Sequence, residues 1–181
     1  NCDASLSEIG QARVHQWLMK RLTQRLLVIE DRRRIPAIAD EVIDRPIFIL
    51  GLPRAGTTFL HTLMGLDSEV LAPMHWQLVN PSPPPADPAI DHAPAIRWTQ
   101  AMLGFQGWLD PDLQSMHFSD ACLQEEDFLA FELSFVSMSF YGFWDIPTYA
   151  STVFPNNDFS AAYRWHKQVM QVLQYKGPTS R

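Results

Sequence analysis

The chain has 181 residues, 46% of them hydrophobic and 19% charged, with a formal net charge of -6. That length suits one domain burying about 70% of the surface its unfolded chain exposes, and the composition excludes a disordered protein. The acidic balance argues against a dedicated nucleic-acid binder, and the two cysteines, Cys2 and Cys122, form neither a metal spacing nor a disulfide framework, so a reducing cytoplasm is expected. No run approaches the length of an apolar membrane span, and the first ten residues, NCDASLSEIG, are too polar for a secretory signal.

The pattern predicts a long helix over residues 5–34, with Ser5 and Ser7 as alternative caps and Glu8 near its start. Val14, Trp17, Leu18, Leu22, Leu26 and Leu27 fall at helical spacings along it. It ends in Arg32, Arg33 and Arg34, which suit the negative end of the helix dipole and read as a solvated helix end. Residues 45–66 read as a strand–loop–helix unit. Ile47, Phe48, Ile49 and Leu50 form a continuous apolar run, as in a strand buried on both faces of a parallel sheet. Residues 72–94 hold seven of the fourteen prolines and are expected to cross the surface as an irregular loop. From residue 95 to 176 the pattern is mostly helical, with segments near 94–108, 122–140 and 158–175 and aromatics throughout.

The chemistry concentrates in GLPRAGTT, residues 51–58. Gly51 and Gly56 allow a loop to fold around an anion, and the amides near Gly56, Thr57 and Thr58 open a helix whose N-terminal dipole favours negative charge. Thr57 and Thr58 can each donate a hydroxyl hydrogen bond, and the planar fork of Arg54 can bridge two oxygens. The spacing G-x-x-x-x-G matches an ATP/GTP loop, but Thr57 stands where such a loop carries lysine. That lysine reaches the outer phosphates beside a Mg²⁺ held by a strand-end aspartate. Asp145 is the nearest candidate for such an aspartate, and Gly142 and Pro147 beside it speak against a central strand.

PIFILGLPRAGTTFLHTLM resembles the 5′-phosphosulfate loop of sulfotransferases dependent on 3′-phosphoadenosine 5′-phosphosulfate (PAPS), especially the large bacterial family. LAPMHWQLVNPSPPPADP, MHFSDACLQEEDFLAF and AAYRWHKQVMQVLQYKGP are similar to segments that follow in that family, so the resemblance runs from about residue 40 onward. It implies an α/β, P-loop nucleotide-kinase-like three-layer fold with a parallel sheet, helix-rich and incomplete in this portion, forming a single sulfotransferase-like domain over 1–181. It implies that Gly51, Pro53, Arg54, Ala55, Gly56, Thr57 and Thr58 bind PAPS, the sulfuryl donor, and that the acceptor is the hydroxyl or amine of a small molecule or lipid. No metal is required on this reading, and a homo-oligomer is compatible with it.

In-line sulfuryl transfer builds charge on the leaving phosphate oxygen, where Arg54 would act, and it needs a base for the acceptor. His117, in a segment the family places at the acceptor pocket, Glu125, Glu126 and His75 are the candidates for base or for its orienting partner. Gln77 stands where many relatives carry an acid. His61 and His166 read as structural. The aromatics of residues 98–144, with Met102, Met116 and Met138, read as core first and acceptor pocket second. The family's 3′-phosphate segment, an arginine and a serine after a further strand, has no counterpart before Arg181. The chain is therefore expected to be part of a longer protein, with apolar faces left uncovered and with little PAPS binding or activity in isolation. Two rival readings remain: a P-loop small-molecule kinase or NTPase, and a non-catalytic helical binding module.

Overall fold

The computed structural model describes residues 4–52, 55–112, 117–153, 155–156 and 158–177. Helix α1, Glu8–Arg34, starts where Ser7 caps it: the Ser7 hydroxyl accepts from the Gly10 amide at 3.2 Å. Two short helices follow, α2 (Ala37–Asp40) and α3 (Thr57–Met64), then α4 (His75–Val79) and α5 (Ala93–Leu109). Next come α6 (Phe128–Phe131), a 3₁₀ turn over Glu132–Ser134, α7 (Met138–Phe143), a π turn over Tyr149–Val153, and α8 (Ser160–Gln174). Val28, Ile38, Leu78, Val79, Leu129, Ala130, Leu133, Val169, Val172 and Leu173 form the core between them.

The long first helix turns a different face inward from the one its leucines suggest. Arg21, Gln24 and Val28 are its buried residues, whereas Leu22, Leu26 and Leu27 are 42%, 67% and 40% exposed. The cause is a polar network. Arg21, fully buried, donates to the carbonyls of Leu78, at 3.3 Å, and Val79 at the end of α4. Its guanidinium lies 4.6 Å from the Trp17 ring centroid and 3.9 Å from the buried carboxylate of Glu132. Glu132 also accepts from Trp17 Nε1 at 3.0 Å and from the Ser139 hydroxyl at 2.6 Å. Burial lowers the Arg21 pKa to about 10, with Glu132 partly restoring it, so the side chain is charged at neutral pH. A helix end leaves carbonyls without partners, and a buried cation needs acceptors; each meets the other's requirement.

Three expectations change. The segment 72–94 is not a surface loop: it carries α4, and His75, Trp76, Leu78 and Val79 are all buried. Its polar backbone is satisfied internally, by Arg21 at Leu78 and Val79 and by the Asn80 side chain at Trp76, and proline adds no N–H to bury. The single helix expected over 122–140 is broken. Phe135 adopts φ 61°, and the serine hydroxyls bond the backbone instead: Ser134 to Phe131 O at 2.7 Å and Ser137 to Phe128 O at 3.1 Å. The Tyr149 hydroxyl stabilises the break by accepting from the Ser137 amide at 3.0 Å.

The strand expected at 47–50 is the third. No strand occurs among the described residues, and the one strand-like pairing is an isolated antiparallel bridge between Met74 and Gln124. Ile47, Phe48 and Leu50 are 58%, 66% and 88% exposed. A strand exists only where a neighbouring backbone completes its ladder, and the described residues offer this run no such neighbour, so the parallel sheet is not present in them. Just upstream, α8 fixes the chain: the buried Gln171 amide donates to Ala39 O and Glu41 O, at 3.1 and 2.8 Å, and accepts from Arg32 at 2.7 Å. Of the three arginines expected at a solvated helix end, Arg33 and Arg34 are exposed, with Arg33 held by Glu30, whereas Arg32 is half-buried against Gln171.

Removing one partner of a buried ion pair strands the other. Arg21→Ala is therefore predicted to destabilise the protein by about 3–5 kcal/mol. Urea unfolding measures it, and an unchanged midpoint would mean that the pair does not hold the helices together.

Candidate functional site

Among the described residues no sheet stands beside the glycine loop. Gly56 has φ 86°, in the left-handed region, and its carbonyl accepts from Leu60 N at 3.1 Å as α3 begins. Gly51 lies against the start of that helix: a Cβ there would come within 2.7 Å of the Thr57 methyl. The Ala55 amide closes the turn on Leu52 O at 3.1 Å. Gly51, Ala55, Gly56 and Thr58 are exposed and Thr57 half-buried, so the opening of α3 faces solvent. Pro53 and Arg54 lie outside the described residues.

A second group of predicted residues converges elsewhere. The segments 73–76 and 121–125 run side by side: His75 N donates to Leu123 O at 2.9 Å, Trp76 N to Ala121 O at 3.0 Å, and Glu125 N to Pro73 O at 3.1 Å. This pairing brings His75 and Glu125 together across fifty positions of sequence. Glu125, 5% exposed, accepts from His75 Nδ1 at 2.9 Å, His117 Nε2 at 3.2 Å, the Ser119 hydroxyl at 3.3 Å and the Glu126 amide at 2.9 Å. Burial opposes its charge, but the hydrogen bonds from His117 and His75 outweigh that effect and hold its carboxyl well below the usual carboxylate range.

These residues border a cavity of about 210 Å³. His75, His117, Ser119, Glu125 and Glu126 line it, together with Leu103 and Gln106 of α5, Phe128 and Phe143. Apolar surface makes up most of its lining, with a few polar groups set in it, the usual make-up of a small-molecule site. Ser119 and Gln106 carried no motif that would single them out, and only the fold brings them here. The two sites are joined by α3, whose eight residues span roughly 12 Å and end at Gly65, where a Cβ would meet Gln124 Nε2 at 2.7 Å.

Other sequence candidates lie apart. Gln77, which stands where many relatives carry an acid, accepts from the Met74 amide at 2.8 Å and holds the start of α4. His166 donates to Asp127 at 2.7 Å and stacks on Phe131, a structural arrangement. His61 is half-buried on α3, Asp145 is exposed, and Asp120 accepts from the Cys122 amide in a turn. Of the aromatics and methionines, Phe140 is buried, Met102 packs on the core, Phe118 and Met138 are exposed, and Met116 lies outside the described residues. Among the described residues no three His, Cys, Asp or Glu side chains converge as metal ligands, and no helix is long and apolar enough to cross a membrane.

Residues 46–173 match the family model described as the sulfotransferase family. The chain superposes on the crystal structure of sulfotransferase STF1 from Mycobacterium tuberculosis with a TM-score of 0.81 at 28% identity, covering 99% of this chain and 49% of that one. On sulfotransferase STF9 from Mycobacterium avium the TM-score is 0.78 at 29% identity, covering 96% of this chain and 45% of that one. No curated protein gives a significant match. The chain thus spans about half the length of the solved structures it matches. With the family model covering well over half of its residues, the chain belongs to the sulfotransferase family.

Proposed function

We propose that the protein transfers a sulfuryl group from PAPS to a hydroxyl or amine of a small-molecule or lipid acceptor, as a single domain to which residues 1–181 contribute. The observation that carries this reading is the geometry at Gly51 and Gly56 in a chain of this family: Gly56 at positive φ, and Gly51 so near the Thr57 methyl that an added Cβ would force one of them to shift. Gly51, Pro53, Arg54, Ala55, Gly56, Thr57 and Thr58 hold the phosphosulfate. PAPS supplies the activated sulfuryl group. The loop amides and the α3 dipole stabilise charge on the 5′-phosphate, and Arg54 adds the full positive charge that a nucleotide loop takes from its lysine.

His117 is the base. It borders the cavity, its side chain is 36% exposed, and its Nε2–H is held by Glu125. Glu125 is not the base itself. Four donors occupy its oxygens, and a carboxyl held so far below its usual range is a poor proton acceptor. It orients His117 and balances the charge His117 acquires on protonation. Glu126 contributes its amide to Glu125 and its side chain to the cavity rim. Leu103, Phe128 and Phe143 give the acceptor apolar contacts in the same cavity.

Calorimetry with 3′,5′-ADP on the full-length protein tests the donor site. Binding is expected to be lost in Arg54→Ala, with sulfuryl transfer from PAPS reduced about 10²–10³-fold; undiminished binding in the variant would sink the assignment. His117→Ala is predicted to lower the rate of transfer by about 10²–10⁴-fold, and a fully active variant would remove it as the base.

Glu125 also makes a pH prediction. Its folded pKa lies below its ordinary value of 4.5, so its contribution to stability is fully present above that pH and is lost as the pH falls below it. Unfolding measured from pH 7 down to about pH 3 should show Glu125→Gln destabilised at neutral pH and less sensitive to acid than the wild type. Parallel curves for the two proteins would contradict the network.

A further inference from the structure

With a polar inward face, α1 carries apolar residues on its outward one. Met19, Leu22, Leu26 and Ile29 are 49%, 42%, 67% and 46% exposed. They follow one another at intervals that alternate between three and four residues, so they lie in one row along the helix. The same alternation continues back through His15 and Ala12 to Glu8 and forward to Arg33, all exposed. Arg21, Gln24 and Val28, the residues turned inward, lie on the opposite side of the helix. We propose that this row is a homodimer seam, in which α1 lies antiparallel on α1 of a second copy of the chain.

The row is complementary to itself in that orientation. Place Met19 opposite Leu22 of the second copy, and a two-fold axis fixes every other pair: Ala12 meets Ile29, His15 meets Leu26, and Glu8 meets Arg33. The middle of the seam is then almost wholly apolar, and each end closes on opposite charges. Arg33 already holds Glu30 of its own helix, and the exposed Arg34 stands beside it, so Glu8 of the second copy meets a rim with cations to spare. A parallel pair would instead set these arginines against their own equivalents and Glu8 against Glu8. The helix dipoles also favour the antiparallel pair. Rim charges of this kind fix orientation, while the buried row supplies affinity. His15, the one polar member inside the row, disfavours slipped registers as a lone polar seam residue does.

The shape of the row favours a second helix over a lipid surface. It runs for about three and a half heptads, roughly 38 Å of helix. It is the narrow stripe of a helix pair rather than the broad apolar face of an interfacial helix. Gln11, Gln16 and Thr23 beside it are polar and exposed, and of the large exposed apolar residues of α1 only Ile9 and Leu27 fall outside it.

The test is sedimentation equilibrium of the full-length protein, wild type and Leu26→Glu. The wild type should be a dimer, and Leu26→Glu should weaken it about 100-fold or more, because each dimer loses two buried leucines. An equal mixture of His15→Cys and Leu26→Cys proteins should form a disulfide joining those two positions, identified by its linked peptides. A disulfide that the Leu26→Cys protein forms with itself at that position would mean a parallel seam and overturn the proposal. A Leu26→Glu dimer as tight as the wild type would overturn it too, as would a wild type still monomeric at about 10⁻⁴ M. Such a monomer, if it floats with phosphatidylglycerol vesicles, would assign the row to a lipid surface; if it does not, to cover by another part of the chain. Should Leu26→Glu fail to fold, the wild-type mass and the mixed disulfide still decide. The seam uses no residue assigned to the glycine loop or the cavity, so dimerisation can fail while sulfuryl transfer stands, and the reverse.

Discussion

A charge that cannot reach water organises this structure. Arg21 is fully buried near the middle of α1 and keeps its proton at neutral pH, so the fold must surround it with acceptors. Two come from the carbonyl end of α4, one face comes from Trp17, and the countercharge comes from Glu132 in the 3₁₀ turn. Because these partners lie on three separate elements, satisfying one side chain fixes their mutual placement. The neighbouring cations extend the arrangement: Arg25 donates to Leu133 O at 2.6 Å and covers the Trp165 ring of α8, while Lys20 bonds Asn80 and covers Trp98 of α5. The first helix thus joins the rest of the fold mainly through a polar and aromatic face, which is why several of its leucines point to solvent.

The cavity inherits its rigidity from that frame. Once α4 is anchored at its C-terminal carbonyls, His75 at its N-terminus is placed by the pairing of 73–76 with 121–125. Glu125 then has two imidazoles, a hydroxyl and an amide around it, enough to keep a buried carboxylate ionised. Buried networks of this kind tolerate little movement, because every unsatisfied member costs more than a satisfied one contributes. The glycine loop works by the opposite principle. Its amides are exposed at the opening of α3, and its shape comes from local backbone constraints at Gly51 and Gly56 rather than from buried partners.

Legibility in the sequence follows the same division. The loop could be read because its requirements are local: a close approach at Gly51, a left-handed residue at Gly56, and a helix starting at Thr57. The Ser7 cap of α1 and the ends of α1, α5 and α8 were readable for the same reason, to within a few residues. The break in 122–140 was not, since the competition between serine hydroxyls and the helix depends on Tyr149 arriving from elsewhere in the chain. Nor was the burial of α4 in a stretch crowded with prolines, because the arginine that satisfies its carbonyls lies some sixty residues upstream.

By itself, then, the sequence determined a glycine loop opening a helix at Thr57, the run of helices that follows it, and a short roster of titratable residues able to move a proton. Only the tertiary structure decided which members of that roster meet. It placed His75 and His117 on one carboxylate and left His166 stacked on Phe131. The physical reason is range. A glycine's dihedral freedom and a helix cap act over three or four residues, whereas a buried carboxylate stays charged only through donors that the folded chain carries to it from distant positions.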